Sequence, residues 1–152
     1  MKPIPRLIYV IGRLRWRITR LITLGVRLLL IKDQKVLLVK HTYQPYWFLV
    51  GGGVTRGETL EQAARREAAE EVGATLGVLR LHGVYTNFFD YKSDHVVVFV
   101  CSDLTLASNP NCEIETSEFF AFDHLPATIA AGHKRRIREY IEGNHVPYVG
   151  MW

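Results

Sequence analysis

The chain has 152 residues, of which 48% are hydrophobic and 22% charged, with a formal net charge of +4 at pH 7. That length and composition suit one globular domain with an apolar core and exclude a wholly disordered protein. The two cysteines, Cys101 and Cys112, form no CxxC pair. This argues against a zinc knuckle or a disulfide scaffold and predicts a cytoplasmic protein.

The basic charge is concentrated in residues 1–22, which we call the leader. It carries Lys2 and five arginines without a single acidic residue. Because these six positive charges exceed the net charge of +4, the rest of the chain is slightly acidic. A basic nucleic-acid-binding surface across the whole domain is therefore not supported, and we expect no DNA partner.

Aliphatic residues recur along the leader at steps of four and three, as on one face of a helix. They are Leu7, Ile11, Leu14, Ile18 and Leu21. The helix could pack on the domain or on a partner subunit, or lie on an anionic membrane surface. The leader could also form a partly ordered arm or an opening strand. A homodimer and peripheral membrane contact thus both stay open. The predicted division is a leader, 1–22, followed by a domain, 23–152.

The next segments predict a β-hairpin and then a helix. Residues 24–31 and 35–41 are apolar runs separated by "KDQK", and "TYQPYWF" after them is typical of a loop. A helix is predicted from Thr59, because "TLEQ" can form a capping box with Gln62. Gly73 is suited to the left-handed residue that ends such a helix.

The second half of the chain predicts further strands and a last helix. Strands are expected at 78–86 and 95–104, joined by an aromatic loop at 87–94. An acidic loop at 108–118 precedes a short strand at 119–122, and a helix is expected at 126–142. Because strands do not alternate strictly with helices, the fold class is α+β.

Three carboxylates crowd one face of the first predicted helix. Glu67, Glu70 and Glu71 lie within about 100° of arc on a helix with 3.6 residues per turn, and such like-charge spacing is destabilising. The alternative is a solvated helix with ion pairs, which leaves the Glu67–Glu71 repulsion unexplained. Three glycines, 51–53, precede the helix and can approach a ligand closely. Together these features favour an oxygen-ligand site for a hard divalent cation.

The spacing of these residues resembles the Nudix box, G-x5-E-x7-R-E-U-x-E-E-x-G-U, in which U is aliphatic. Gly52, Glu58 and "REAAEEVGA" match every fixed position, and Ala68 and Ala74 occupy the U positions. "WFLVGGG" is similar to the W-x-L-P-G-G segment that precedes the box, with Val50 where proline is common. "FFAFDHLP" is similar to a late strand and helix start of the family, so the resemblance covers most of residues 24–142.

The resemblance implies a Nudix-type α/β/α sandwich around a mixed β-sheet. It further implies a hydrolase that uses Mg²⁺ or Mn²⁺ to cut a diphosphate linkage in a nucleoside triphosphate, a nucleotide sugar such as ADP-ribose, or a dinucleotide. The implied metal ligands are Glu67, Glu70, Glu71 and the Gly52 carbonyl. The alternative is a non-catalytic Nudix module that binds a nucleotide or a protein.

Other site residues follow from the resemblance and from the chemistry of the substrate. Glu58 and Arg66 are expected to orient the ligands, and Glu113, or else Glu115, is the candidate general base. Arg56 and Lys40 could contact phosphate, and aromatic residues could stack on a base. These aromatic residues are Tyr43, Tyr46, Phe88, Phe89 and Tyr91.

Residues that mark particular substrates within the family are absent here. ADP-ribose enzymes often have proline 16 residues after the box, where this chain has Asp90. Dinucleoside polyphosphate enzymes often have tyrosine 18 residues after the box, where this chain has Lys92. The sequence therefore predicts the reaction class and leaves the substrate open.

Overall fold

The structure, a computed structural model, describes residues 22–89, 92–107, 113–143 and 147–152. The leader, with its predicted helix, lies outside these ranges except for Ile22, which is the first residue of a strand. Of the helices in the described ranges, none has the length and apolar character that crossing a membrane would require.

The described residues form nine strands and two helices, which we number in chain order. The strands are β1 (Ile22–Lys32), β2 (Lys35–His41), β3 (Trp47–Leu49), β4 (Ala74–Leu76), β5 (Arg80–Phe89), β6 (Lys92–Cys101), β7 (Leu104–Leu106), β8 (Ile114–Ala121) and β9 (Tyr148–Met151). The helices are α1 (Leu60–Val72) and α2 (Ala131–Ile141).

Seven strands form one mixed sheet with a helix on each face. The strand order is β3-β2-β1-β6-β5-β9, and β8 also pairs with β2. The β1–β6 and β5–β9 pairs are parallel, and the other pairs are antiparallel. One core cluster includes Ala64 and Ala68 of α1, and the other includes Ile137 of α2. The predicted α+β class and α/β/α sandwich are therefore confirmed.

Local signals placed the first hairpin and helix correctly. Asp33 and Gln34 both have positive φ, 49° and 59°, as a two-residue turn of the I′ type requires. The Thr59 side chain accepts from the Gln62 N–H at 3.2 Å, and Gln62 accepts in return from the Thr59 N–H at 2.8 Å. Gly73 ends α1 with φ 63°, so the predicted capping box and left-handed cap are both present.

Two predicted loops are wrong because their residues pair with neighbouring strands. The loop at 87–94 is mostly strand, since Asn87 pairs with Asp94 and Phe88 with Ser93. In the acidic segment at 108–118, β8 already begins at Ile114, because its backbone pairs along β2. Three short strands, β4, β7 and β9, were not predicted.

The segments around β3 and α2 also differ from prediction. Trp47 and Phe48 belong to β3 instead of the predicted loop, because they pair with Lys40 and Val39 of β2. The last helix begins at Ala131 instead of 126. The Trp47 N–H donates to the Thr128 carbonyl at 2.9 Å, and the Ala130 N–H donates to the Trp47 carbonyl at 3.1 Å. These hydrogen bonds hold the backbone before α2 against the edge strand β3, so the helix starts after them.

Candidate active site

The glycine loop is anchored in a fork of the main sheet. Strand β1 follows β6 along nearly its whole length but pairs with β2 only at its end. In the gap, the Val26 N–H donates to the Gly52 carbonyl and the Val54 N–H to the Leu24 carbonyl, each at 2.9 Å. Gly51 has φ 131° and lies against the β1 backbone, where a side chain would clash. The loop is thus fixed directly beside β1.

Helix α1 directs two of its carboxylates at this loop. Because Ala63, Ala64, Ala68 and Val72 are buried against the sheet, Glu67 and Glu71 turn toward the glycines. The Gly51 N–H donates to Glu71 Oε2 at 2.9 Å. A Cβ on Gly52 would lie 2.5 Å from Glu67 Oε1, so the Glu67 carboxylate occupies the space that a side chain at 52 would fill.

Arg66 holds the remaining acidic side chains of the box. Its guanidinium makes a two-pronged contact with Glu58, with Nη2–Oε1 at 2.7 Å and Nε–Oε2 at 3.1 Å. Nη1 donates to Glu67 Oε1 at 2.7 Å and to Glu70 Oε2 at 3.2 Å. Nη2 also donates to the Gly53 carbonyl at 3.0 Å. One arginine therefore connects all of the box carboxylates except Glu71.

The two ends of this network have opposite electrostatics. The Arg66 hydrogen bonds, with further ones from Thr55, lower the pKa of Glu58 to about 2. Burial raises the pKa of Glu71 to about 7, against the opposing effects of the Gly51 N–H and of Arg27. The desolvated Glu71 carboxylate is a group that a nearby cation would favour in its charged form.

The Glu67 and Glu71 carboxylates both lie at the glycine loop, and carboxylate and backbone carbonyl oxygens are the donor atoms that a hard cation prefers. The Gly52 oxygen accepts from Val26 and keeps a second lone pair. No three acidic, histidine or cysteine side chains in the described ranges are gathered closely enough to hold an ion. Glu67 and Glu70 instead share Arg66 as a hydrogen-bond partner.

The candidate base, Glu113, directly precedes strand β8 at the edge of the site. The Thr42 N–H donates to the Glu113 carbonyl at 3.1 Å. The Glu113 carboxylate acts on the pKa values of both Glu71 and His41. The second candidate base, Glu115, instead forms a salt bridge with Lys40 at 3.1 Å. Lys40 was predicted to contact phosphate, and in this structure it binds Glu115.

The other predicted substrate-binding residues are less closely gathered. Arg56 lies exposed in the loop that leads to α1, and Tyr46 is 49% exposed just before β3. Phe89 is the last residue of β5, for which the structure describes the backbone alone. Tyr91 lies outside the described residues. Of the five aromatic residues predicted to stack on a base, the structure therefore describes the side chains of Tyr43, Tyr46 and Phe88.

Two residues near Glu71 were not predicted. His41 Nε2 lies 3.9 Å from Glu71 Oε1, and its ring stacks on Tyr43 with 5.2 Å between centroids. Arg27 is half-buried, and its pKa is lowered by burial against the attraction of Glu71 and Glu67. The sequence contains one signal for Arg27, a cation inside the otherwise apolar run "LGVRLLLI".

Comparison with known proteins gives consistent matches. The family model for the NUDIX domain matches residues 21–140. An ADP-ribose pyrophosphatase of Methanocaldococcus jannaschii is 34% identical over 115 residues, 72% of this chain and 68% of that protein. A Nudix hydrolase of Deinococcus radiodurans is 41% identical over 86 residues, 55% of this chain and 50% of that protein.

The solved structure of a MutT NUDIX hydrolase from Burkholderia pseudomallei has the same fold, with a TM-score of 0.71 at 23% identity. The likeness covers 78% of this chain and 97% of that one.

Proposed function

The chain belongs to the Nudix family of hydrolases, and we propose that it uses Mg²⁺ or Mn²⁺ to cleave a diphosphate linkage in a nucleoside diphosphate derivative. One observation carries the proposal. Glu71 is fixed on the Gly51 N–H while Glu67 lies against Gly52. The two carboxylates thus lie together at the glycine loop, with the cations Arg66 and Arg27 close to them.

Each residue has a role in this proposal. Glu67 and Glu71, with Glu70 and the Gly52 carbonyl, would hold the cation. When bound, a divalent cation neutralises phosphate charge and lowers the pKa of a water molecule. Arg66 and Glu58 keep the carboxylates oriented, as supporting residues around metal ligands do. Glu113 is the candidate to accept the proton of the attacking water.

We place ADP-ribose first among the candidate substrates, because the M. jannaschii relative is named an ADP-ribose pyrophosphatase. The proline that often marks ADP-ribose enzymes is replaced here by Asp90, so the ranking rests on that relative alone. Attack of water on its P–O–P bridge would yield AMP and ribose 5-phosphate. Lys40 and Arg56 are the candidate phosphate contacts, and the candidate stacking surface for the base comprises Tyr46, Phe89 and Tyr91. Nucleoside triphosphates, other nucleotide sugars and dinucleotides are the remaining candidates.

The test is a hydrolysis panel of these substrates with Mg²⁺ or Mn²⁺, read as nucleoside monophosphate by chromatography. We expect turnover with at least one substrate and a loss of about 10²-fold or more in Glu71→Gln, because removing a ligand weakens metal binding and catalysis. Calorimetric titration with Mn²⁺ should show weaker binding by the same variant.

Glu61→Gln is the matched control, since Glu61 is an exposed residue in the first turn of the same helix. It should retain wild-type turnover and metal affinity. No turnover on any substrate would reject the catalytic proposal and favour a non-catalytic binding module. Full activity of Glu71→Gln would reject the assigned site.

A further inference from the structure

Five large apolar side chains are exposed at one end of the main sheet. They are Ile22 (74% exposed), Leu24 (42%), Phe88 (69%), Val149 (79%) and Met151 (60%). We call this group the end patch. It involves three strands, β1, β5 and β9, with β6 running between β1 and β5.

The strand register places the whole end patch on one face of the sheet. Residues directly paired across strands share a face, and residues two apart along a strand share it too. Two rows of paired residues contain four members of the patch: Ile22–Ser93–Phe88 and Leu24–His95–Thr86–Met151. The row Val26–Val97–Val84–Val149 contains the fifth member, and its first two residues are buried in the core beneath α1.

The end patch therefore continues the core that α1 covers. Along β1, exposure on this face rises from 0% at Val26 to 42% at Leu24 and 74% at Ile22. The members lie on both sides of Ser93, His95 and Thr86, and large apolar side chains grouped on one exposed face mark an interaction site. Each face of a sheet is normally buried by a second layer. Helix α1 supplies that layer over only part of this face.

We infer that the leader of the same chain covers the end patch, as an amphipathic helix laid across the strands. The leader ends at the patch itself, because its last residue, Ile22, is the first residue of β1 and a member of the patch. From Leu7 to Leu21 the leader carries five aliphatic residues at helical spacing. These residues match the patch in chemistry.

The leader helix is long enough to cross the end patch. A helix from Leu7 to Leu21 would be about 22 Å long at 1.5 Å per residue. The four strands from β1 to β9 span about 14 Å between the axes of the outer two. With the aliphatic stripe on the sheet, most of the leader arginines face solvent. Because the leader is tethered to the patch, it also has a high effective concentration there compared with a second copy.

Hydrogen exchange of the full chain tests the inference from the sheet side. We expect the leader amides of residues 8–21 to exchange at least about tenfold faster in Val149→Glu than in the wild type. Val78→Glu is the matched control, because Val78 is an exposed valine (72%) in the β4–β5 connection, outside the patch. It should leave leader exchange unchanged.

A second experiment tests the leader side. Leu14→Glu places a charge in the aliphatic stripe and should accelerate oxidation of Met151 by hydrogen peroxide at least about fivefold, since uncovered methionine oxidises readily. Arg13→Glu, one residue away and off the stripe, should leave the oxidation rate unchanged. Unchanged hydrogen-exchange protection of α1 and β6 checks that the domain stays folded in both variants.

Three results would overturn the inference. In the first, the wild-type leader amides exchange at the rate of an unfolded peptide. In the second, their protection falls on dilution together with the mass measured by light scattering, which would assign the patch to a second copy. In the third, protection arises only with anionic phospholipid vesicles, which would assign the leader to a membrane surface.

Discussion

Arg66 is the residue that makes the acidic face of α1 compatible with a stable fold. Three carboxylates at 67, 70 and 71 would repel each other on an isolated helix. Arg66 bonds two of them as well as Glu58, and the Gly51 N–H takes the third. The sequence suggested that the arginines reduce this repulsion. It did not show that the Gly51 N–H binds Glu71, because that contact requires the glycine loop to be anchored on β1.

The contact between Glu67 and Gly52 gives a prediction for two adjacent glycines. Gly52→Ala adds a Cβ 2.5 Å from Glu67 Oε1, so the carboxylate must move, and hydrolysis should fall by about 10²-fold or more. Gly53→Ala meets nothing within 4 Å and should remain within about twofold of the wild type. Steady-state kinetics on the best substrate measures both, and equal activity of the two variants would contradict the assigned position of Glu67.

The raised pKa of Glu71, about 7 against an ordinary 4.5, predicts how stability depends on pH in the metal-free protein. Between these two values the folded state holds a proton that the unfolded state has lost. Stability should therefore fall as the pH rises through this window and level off above it. The total change is on the order of 3 kcal/mol.

Urea unfolding in EDTA at about pH 5 and about pH 8 tests this, with Glu71→Gln as the reference that cannot titrate. The wild type should lose stability relative to the variant at the higher pH. A difference that stays constant across the window would show that Glu71 titrates normally.

At the scale of the element, α1 positions the candidate metal ligands and is itself stabilised by the capping residues at its ends. The capping box at Thr59 satisfies free N–H groups, so Thr59→Ala should lower the free energy of unfolding by about 1 kcal/mol. Thr59→Ser keeps the hydroxyl and should cost less than half of that. Urea denaturation measures both. Equal losses in the two variants would mean that the hydroxyl contributes nothing.

Elements specified by their own residues could be predicted, and those specified by distant partners could not. The Asp33–Gln34 turn, the Thr59 cap and Gly73 are signals within a few positions of the structure that they specify. Strand β9, in contrast, exists because Tyr148–Met151 pairs with β5, some sixty positions away along the numbering. The extension of β8 to Ile114 likewise depends on β2.

The same distinction holds for the candidate site. Glu67, Glu70, Glu71 and Arg66 lie on one helix, so their spacing alone predicted a cluster. Arg27 lies in β1 and His41 in β2, two strands that separate where the glycine loop lies between them. No local sequence pattern indicates that separation. The family resemblance predicted the sandwich. The position of β1 between β6 and the glycine loop was not predicted and is known from the structure.

At the scale of the molecule, Arg136 joins α2 to the far edge of the sheet. It is 2% exposed, and its guanidinium lies 3.8 Å from the centre of the Tyr85 ring. It donates to the Met151 carbonyl of β9 at 2.9 Å and to Glu139 at 2.6 Å. Tyr85 donates to the same carboxylate at 3.0 Å. One buried cation thus connects α2, β5 and β9.

Arg136→Ala should therefore destabilise the whole fold by about 3 kcal/mol, because it leaves the Glu139 carboxylate without its cation and β9 without its tie to α2. Arg138→Ala removes an exposed arginine from the same helix and should change stability by less than about 0.5 kcal/mol. Urea unfolding measures both, and hydrogen exchange should show early opening of β9 only in the Arg136 variant. If β9 stays protected there, its docking depends on strand pairing with β5 and on Trp152, whose N–H donates to the Thr86 carbonyl at 2.9 Å.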